Sequence, residues 1–350
     1  MADMTTLALV DGYPYLFTSR SLQVLKPRWP FEQRTAQGHV EMSGVARAAP
    51  GSFSRAGPYA VVALEAQEGL VLLDVSNPAA PRQLDHLQEA HAFHGVLLDR
   101  PDRIFASVKD AHGSTAMAVL RIVTRGGRPR LKLVHFEPIP RLLGERLELY
   151  RTAPGVKHGF LLAQTEYLFV AGLRGVRVFN PATLEEYTDV AWTLPEAQDA
   201  VTDLALAGLQ GTDFLAPFLV YVGTGHQGLY GLDYTSRTTP PRVEFRYARQ
   251  GPGRYPRVLH RDGRLLALQA VSPASVVRFE CPSGVFLDED AEPSGLLRMS
   301  ARALGPGEAH ALELGTQGEV LVASEGILLA ARDFTTSQEL TLRRLHPHAA

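Results

Sequence analysis

The fold of this chain is indicated by one repeated stretch, Phe93-His94-Gly95-Val96-Leu97-Leu98, which is followed by Ile104-Phe105-Ala106-Ser107. It aligns without gaps on Lys157-His158-Gly159-Phe160-Leu161-Leu162, followed by Leu168-Phe169-Val170-Ala171. The same ten-residue offset joins Thr6 to Leu16, Tyr255 to Leu265 and His310 to Val320. Two looser copies have their own loop lengths and precede Ala60-Val61-Val62-Ala63 and Leu219-Val220-Tyr221-Val222.

These copies predict an all-β fold, a single seven-bladed β-propeller over residues 1–350 with four-stranded blades. Short runs rich in Val, Leu, Phe and Tyr alternate with Gly, Pro, Asp and Ser turns, which is typical of strands. Seven repeats in 350 residues average fifty each, the length of a four-stranded blade with its loops. The predicted blades start near residues 6, 50, 94, 158, 203, 255 and 310, with an insertion at 137–155 between blades 3 and 4.

A second repeated pattern places a glycine before a strand that ends in a polar turn. Its best copy reads Gly69-Leu70-Val71-Leu72-Leu73-Asp74-Val75-Ser76-Asn77-Pro78-Ala79-Ala80-Pro81, and looser copies begin at Gly175, Gly228 and Gly326. The segment from Gly69 to Pro81 resembles the LVIVD repeat of bacterial β-propellers. The resemblance implies a propeller and no particular activity, because such repeats occur in proteins of unlike function.

Composition and the chain ends exclude several classes of protein. The formal net charge is −2 and the arginines are scattered among acids, so no nucleic-acid partner is expected. Cys281 is the only cysteine, which excludes an intrachain disulfide. No run approaches the roughly 18 apolar residues that span a bilayer, and the N-terminus has no signal-peptide pattern. We therefore expect a cytoplasmic protein without a membrane partner.

Residues at the blade starts form the first candidate site. Because the first strand of a propeller blade lies beside the central channel, Thr6, Asp203 and Tyr255 are predicted to bind ligands at the channel mouth. The same column holds His94, His158 and His310, and His226 lies on a loop predicted at the same face. Convergent imidazoles can hold Fe, Cu or Zn. The alternative is structural, with each ring bonding to neighbouring backbone.

A second candidate is the insertion before blade 4. A short helix from Arg141 to Tyr150 would place Leu142, Leu147 and Tyr150 mostly on one side. This helix either packs onto the propeller or docks another protein, and Arg141, Leu142, Leu147 and Tyr150 are its candidate contact residues.

Two functions fit these patterns. The first is a non-enzymatic scaffold that presents loops to a protein partner, within a larger complex and with no cofactor. The second is a metal-dependent oxygenase or lyase at the histidine-lined mouth. The chain shows neither a phosphate-binding motif nor a nucleophile elbow, and Arg125-Gly126-Gly127-Arg128 is typical of a hairpin turn. These absences favour the scaffold.

Two structural expectations follow from the register. The C-terminal run Glu339 to Leu345 should form the outer strand of blade 7, while the chain start belongs to blade 1. One apolar residue in each of five second strands should be buried between blades: Val61, Phe105, Phe169, Leu266 and Leu321.

Overall fold

Strands account for nearly all the secondary structure of the chain. The computed structural model describes residues 4–18, 20–26, 36–49, 51–151, 166–195, 199–207, 219–234, 240–247, 255, 257–261, 264–269, 275–280, 295–298, 309–314, 320–324, 327–331 and 343–344. Within these residues, 28 strands form seven four-stranded antiparallel sheets, and the only helix is a 3-10 turn at Thr188–Val190.

The first three sheets follow one another along the chain, and in each sheet every strand pairs with the next one in sequence. Sheet 1 contains β1 (Met4–Val10), β2 (Tyr13–Thr18), β3 (Ser21–Leu25) and β4 (Ala36–Glu41). Sheet 2 contains β5 (Phe53–Ala56), β6 (Tyr59–Ala63), β7 (Leu70–Asp74) and β8 (Arg82–Leu87). Sheet 3 contains β9 (His91–Arg100), β10 (Arg103–Asp110), β11 (Thr115–Arg125) and β12 (Arg128–Pro138).

The remaining four sheets have the same topology. Sheet 4 contains β13 (Gly144–Arg151), β14 (Glu166–Gly172), β15 (Gly175–Phe179) and β16 (Trp192–Thr193). Sheet 5 contains β17 (Val201–Ala207), β18 (Leu219–Thr224), β19 (Leu229–Asp233) and β20 (Arg242–Tyr247). Sheet 6 contains β21 (Arg257–Arg261), β22 (Arg264–Gln269), β23 (Ser275–Glu280) and β24 (Gly295–Arg298). Sheet 7 contains β25 (Ala309–Leu314), β26 (Val320–Ser324), β27 (Ile327–Ala331) and β28 (Arg343–Arg344).

The sheets fall into two compact units. One unit comprises residues 1–143 and 299–350, with sheets 1, 2, 3 and 7, and the other comprises residues 144–298, with sheets 4, 5 and 6. In the first unit β1 lies against β25 and β26, and β5 lies beside β9. In the second unit β17 lies between β13 and β21. The first strands are therefore neighbours for sheets 7 and 1, sheets 2 and 3, sheets 4 and 5, and sheets 5 and 6.

The core lies between the faces of consecutive sheets. In sheet 2, Val62 and Val71 pack towards sheet 1, whereas Val61 and Leu72 pack towards sheet 3. Because alternate residues of a strand point to opposite faces, a sheet covered on both sides needs apolar residues at almost every position. Face-to-face stacking of four-stranded sheets, with their first strands adjacent, defines an all-β propeller fold.

The expected burial of five second-strand residues is confirmed, since each is at most 1% exposed: Val61, Phe105, Phe169, Leu266 and Leu321. Phe169 packs edge-on against Tyr234, with ring centroids 5.3 Å apart. Of the run expected to form the outer strand of sheet 7, Arg343 and Arg344 do pair with Leu328 and Ile327, and the rest of the run lies outside the described residues.

The predicted start of blade 4 at residue 158 was wrong. The first strand of sheet 4 is β13, which begins at Gly144 and pairs with β14. Of the supposed 137–155 insertion, residues 137–138 therefore belong to β12 and residues 144–151 to β13, while residues 152–155 lie outside the described residues. The other predicted starts lie within, or close before, the first strands of their sheets.

The predicted helix from Arg141 to Tyr150 was also wrong. Its apolar residues are too few to distinguish helical from strand periodicity, and pairing of Leu147 with Val170 and Tyr150 with Tyr167 stabilises a strand. Leu142, Leu147 and Tyr150 are 2%, 1% and 8% exposed, so they belong to the core and not to a docking surface. Of the four candidate contact residues only Arg141, at a turn with φ 59°, is exposed.

Candidate functional site

A β-bulge marks the start of the first strand in five of the sheets that the structure describes. The register shifts in sheets 1, 3, 4, 5 and 7 at Met4/Thr6, Phe93/Val96, Gly144/Arg146, Val201/Asp203 and Ala309/Ala311. A bulge twists the strand and redirects a side chain. The repeat column recognised in the sequence therefore has a backbone cause in these sheets.

Two of the predicted metal ligands lie at these bulges. His94 is half-buried in the bulge of sheet 3, where the backbone N–H of the following Gly95 donates to Ser107 Oγ at 3.0 Å. His310 is the extra residue of the bulge in sheet 7. His158 lies outside the described residues, in the chain between β13 and β14, and Glu145 takes the bulge position in sheet 4. The column of three histidines is thus broken at sheet 4.

The fourth predicted ligand, His226, lies on the turn between β18 and β19. Its side chain is exposed, while its backbone N–H donates to Asp199 Oδ2 at 3.0 Å. Within the described portion of the chain, no three His, Cys, Asp or Glu side chains gather in a way that suits a metal ion.

Asp203, predicted at an open channel mouth, is instead the centre of a buried charge network. It is 0% exposed and accepts hydrogen bonds from Arg257 Nη1 at 3.2 Å and from the backbone N–H of Val258 at 2.8 Å. Arg146 Nε lies 3.8 Å from Asp203 Oδ1, and Arg146 also bonds to Glu148. These charges join the first strands of sheets 4, 5 and 6.

Tyr255 is the second predicted mouth residue that is buried. Its backbone carbonyl accepts from Thr202 Oγ1 at 2.6 Å, and its N–H donates to the Thr224 carbonyl at 2.8 Å. The hydroxyl is enclosed and has no hydrogen-bond partner among the described residues, and burial raises the pKa of this phenol, with a smaller contribution from Tyr247. Burial likewise raises the pKa of Tyr150 to about 12, with Tyr167 adding to the effect.

The third mouth residue, Thr6, lies on β1 opposite Phe17. Asp203 and Tyr255 are thus brought together as a structural link between sheets 5 and 6, and neither side chain faces solvent. A ligand that binds at this end of sheets 5 and 6 would therefore contact other, exposed residues.

Such groups are found on two turns at the same end of sheets 4 and 5. Leu173 and Arg174 occupy the turn between β14 and β15, and His226 occupies the turn between β18 and β19; we call these three residues the rim surface. Leu173 is 46% exposed, although the turn that carries it is fixed by the Leu194 N–H, which donates to the Arg174 carbonyl at 2.9 Å.

The turn of His226 is fixed by a buried carboxylate. Asp199 is 6% exposed, and its Oδ2 accepts from the backbone N–H groups of His226 at 3.0 Å and Gln227 at 2.8 Å. Gly225 completes the turn, since a Cβ there would lie 2.6 Å from Asp199 Oδ1. The rim surface therefore presents exposed side chains on a constrained backbone.

The residues that pair with Asp203 or that hold the His226 turn were not identified from the sequence. Arg146, Arg257 and Asp199 carry no local motif, and Asp203 and Arg257 are 54 positions apart. The Gly225-His226-Gln227-Gly228 turn is the sequence feature that could have indicated such a partner. A polar turn between two apolar runs needs a nearby acceptor for its N–H groups.

No protein-family model matches the chain, and no curated protein matches it. Solved structures do. The chain is similar to Saccharomyces cerevisiae Sqt1, with 11% identity, 97% of this chain and 85% of that chain covered, and a TM-score of 0.60. It is similar to the Cps50 (Swd1) β-propeller domain of Myceliophteria thermophila, with 10% identity, 93% and 94% covered, and a TM-score of 0.58.

A third similar structure is the dihydro-heme d1 dehydrogenase NirN in complex with DHE, with 13% identity, 97% and 66% covered, and a TM-score of 0.54. At these identities the likeness shows the fold alone, so the chain is a β-propeller with no family assigned. The similar structures include both a dehydrogenase and a protein described only as a β-propeller domain. Because the fold does not determine function, the function of this chain must be argued from its own surfaces. Among the described residues, no helix has the length and apolar character to cross a bilayer.

Proposed function

We propose that this chain is a non-enzymatic scaffold that binds a protein partner through the rim surface, within a larger complex in the cytoplasm and without a cofactor. The proposal includes closure of the seven sheets into one seven-bladed ring, in which the LVIVD-like segment Gly69 to Pro81 supplies one blade. The neighbouring positions of β1 and β25 support closure.

The observation that carries the proposal is the contrast between fixed turns and exposed side chains at the rim surface. Leu173 and His226 are presented to solvent on turns held by Arg174, Asp199 and backbone hydrogen bonds. A preorganised surface binds a partner without the entropic penalty of ordering its loops. The buried charges Asp203 and Arg257 are paired with each other and hidden from a partner, whereas the exposed turn residues are accessible to one.

The test is quantitative affinity capture from the source organism, with mass spectrometry of the retained proteins. Wild-type chain should retain a reproducible partner set that Leu173→Asp and His226→Ala each lose. His39→Ala is the matched control, because His39 is also an exposed histidine but lies on β4 of sheet 1. The scaffold proposal is wrong if no protein is retained above the level of bare resin, or if all three variants lose the same proteins.

A second candidate function is a metal-dependent oxygenase or lyase using Fe, Cu or Zn. It is favoured by one observation, the position of both His94 and His310 at first-strand bulges of one compact unit. The two candidates differ in metal content, which a measurement on the purified protein decides.

A further inference from the structure

The hairpin of β11 and β12 brings the basic residues of the stretch 121–132 onto one face. Gly126 and Gly127 form its two-residue turn, with φ of 59° and 73°. Positive φ at both positions is the requirement of a type I′ turn, which fixes the pairing of the flanking strands. The register is Arg121 opposite Lys132, Val123 opposite Arg130, and Arg125 opposite Arg128.

Since directly paired residues point to the same side, five cations share one face of this hairpin. We call this set the basic face: Arg121, Arg125, Arg128, Arg130 and Lys132. All five are exposed. The opposite face carries Leu120, Ile122, Leu131 and Leu133, which pack into the core between sheets 2 and 3. Core packing thus fixes the basic face on the side of sheet 3 that points away from sheet 2.

Few acids balance this charge. From Ala111 to Phe136 the chain contains no Asp or Glu. Asp85 on β8 pairs with Arg130 and accepts the Leu131 N–H at 2.7 Å. The side chains of the other four cations form no hydrogen bond or ion pair with any residue that the structure describes. Like charges directly opposite each other destabilise a sheet, so this face lowers the stability of the unbound protein.

The geometry points to the basic face as a docking site for an extended acidic segment of a partner protein. Side chains on one face of a strand recur every two residues, about 7 Å apart. Consider an extended segment in which an apolar residue has an acidic residue two positions before it and another two positions after it. Its carboxylates would lie near Arg121 and Arg125, and its apolar residue would lie near half-buried Val123. Planar guanidinium groups suit carboxylates because they can donate two parallel hydrogen bonds.

A nucleic acid fits this face less well. The strand from Arg121 to Arg125 spans only about 14 Å, and four free cations would neutralise few phosphates. The chain as a whole carries a net charge of −2, which opposes a polyanion larger than the face itself. A short acidic segment avoids both problems.

The experiment measures fluorescence anisotropy of a labelled peptide, three repeats of Glu-Ser-Val-Ser-Glu, added to the full chain. A peptide of the same composition in scrambled order and a single-stranded oligo-dT of equal charge are compared with it. The patterned peptide should bind most tightly and weaken as salt rises. Charge reversal in Arg125→Glu/Arg128→Glu should weaken binding at least about tenfold.

Lys109→Glu is the matched control, since Lys109 is exposed on sheet 3 but lies outside the basic face. It should bind the peptide as the wild type does. If thermal melting shows that the charge-reversal variant folds poorly, the double variant Arg125→Gln/Arg128→Gln replaces it in the binding measurement. The inference is overturned if the peptide does not bind, if oligo-dT or the scrambled peptide binds as tightly, or if the double variants bind unchanged. The rim surface is not involved, so this test and the capture test can fail separately.

Discussion

At the residue scale, the molecule uses its charged residues in two different ways. Asp203 and Arg257 are buried, 0% and 5% exposed, and connect adjacent first strands. On the β11–β12 hairpin, exposed Arg121 lies opposite Lys132, and exposed Arg125 lies opposite Arg128. Buried charges need a partner because desolvation is costly, whereas exposed charges remain available to a ligand. Residue type alone does not distinguish these roles.

The buried pair gives a prediction on stability. Asp203→Asn keeps an acceptor for the Val258 N–H but removes the negative charge of Asp203 from beside the buried Arg257 guanidinium. We expect a loss of about 3–5 kcal/mol in the free energy of unfolding. The measurement is urea denaturation of Asp203→Asn, Arg257→Met and the double variant. The double variant should lose much less than the sum of the single changes, and simple additivity would contradict the network.

At the element scale, the recurring glycines determine how closely the outer strands approach. Gly69, Gly175 and Gly228 have φ of 96°, 140° and 110°, and each lies at the start of a third strand. A Cβ on Gly69 would lie 2.0 Å from the Leu87 carbonyl oxygen, and one on Gly175 would lie 1.9 Å from the Trp192 carbonyl oxygen. Glycine is therefore needed both for the backbone conformation and for contact with the fourth strand.

Substitution of Gly69 separates these two requirements. Gly69→Ala should lose more than about 3 kcal/mol, because the methyl group adds a clash with backbone to the strain of a positive φ. Gly57→Ala is the control: its φ is 58°, and no described atom lies within 4 Å of the position that its methyl group would take. That change should cost only about 1–2 kcal/mol. Equal losses in calorimetric melting of the two variants would refute the close approach.

Many of the strands and turns can be predicted from the sequence. Alternation, the glycine pattern and the ten-residue offset identify the strands of sheets 1, 3 and 7, and Arg125-Gly126-Gly127-Arg128 is a hairpin turn as expected. The same offset fails at His158, because β13 ends at Arg151, before the matching stretch begins. A chance similarity and a true repeat look alike until strand pairing with β14 is known.

The candidate sites are less predictable for a physical reason. The Asp203–Arg257 pair, the Asp199 contacts with the His226 turn and the Asp85–Arg130 pair all join residues far apart in the sequence. Such pairs depend on how sheets stack, which a linear pattern does not contain. The basic face is the exception, since a two-residue turn at Gly126-Gly127 fixes its register from sequence alone.

At the scale of the whole molecule, the described residues form seven sheets of one topology, and each sheet adds surfaces at its turns and outer strand. Inner-strand charges serve to link sheets, as Arg146, Asp203 and Arg257 do. Exposed features lie elsewhere, at the rim surface and on the basic face. This distribution suits the proposed scaffold, because each compact unit carries an exposed surface of its own.

The central claim is that the chain binds proteins and performs no metal chemistry, and metal content tests it most directly. Full-length protein purified from its source without metal-affinity steps or chelators is analysed by inductively coupled plasma mass spectrometry, beside His94→Gln and His310→Gln. We predict iron, copper and zinc far below one equivalent in all three proteins. Close to one equivalent of any of these metals in the wild type, lost in either variant, would contradict the scaffold and establish the histidine site.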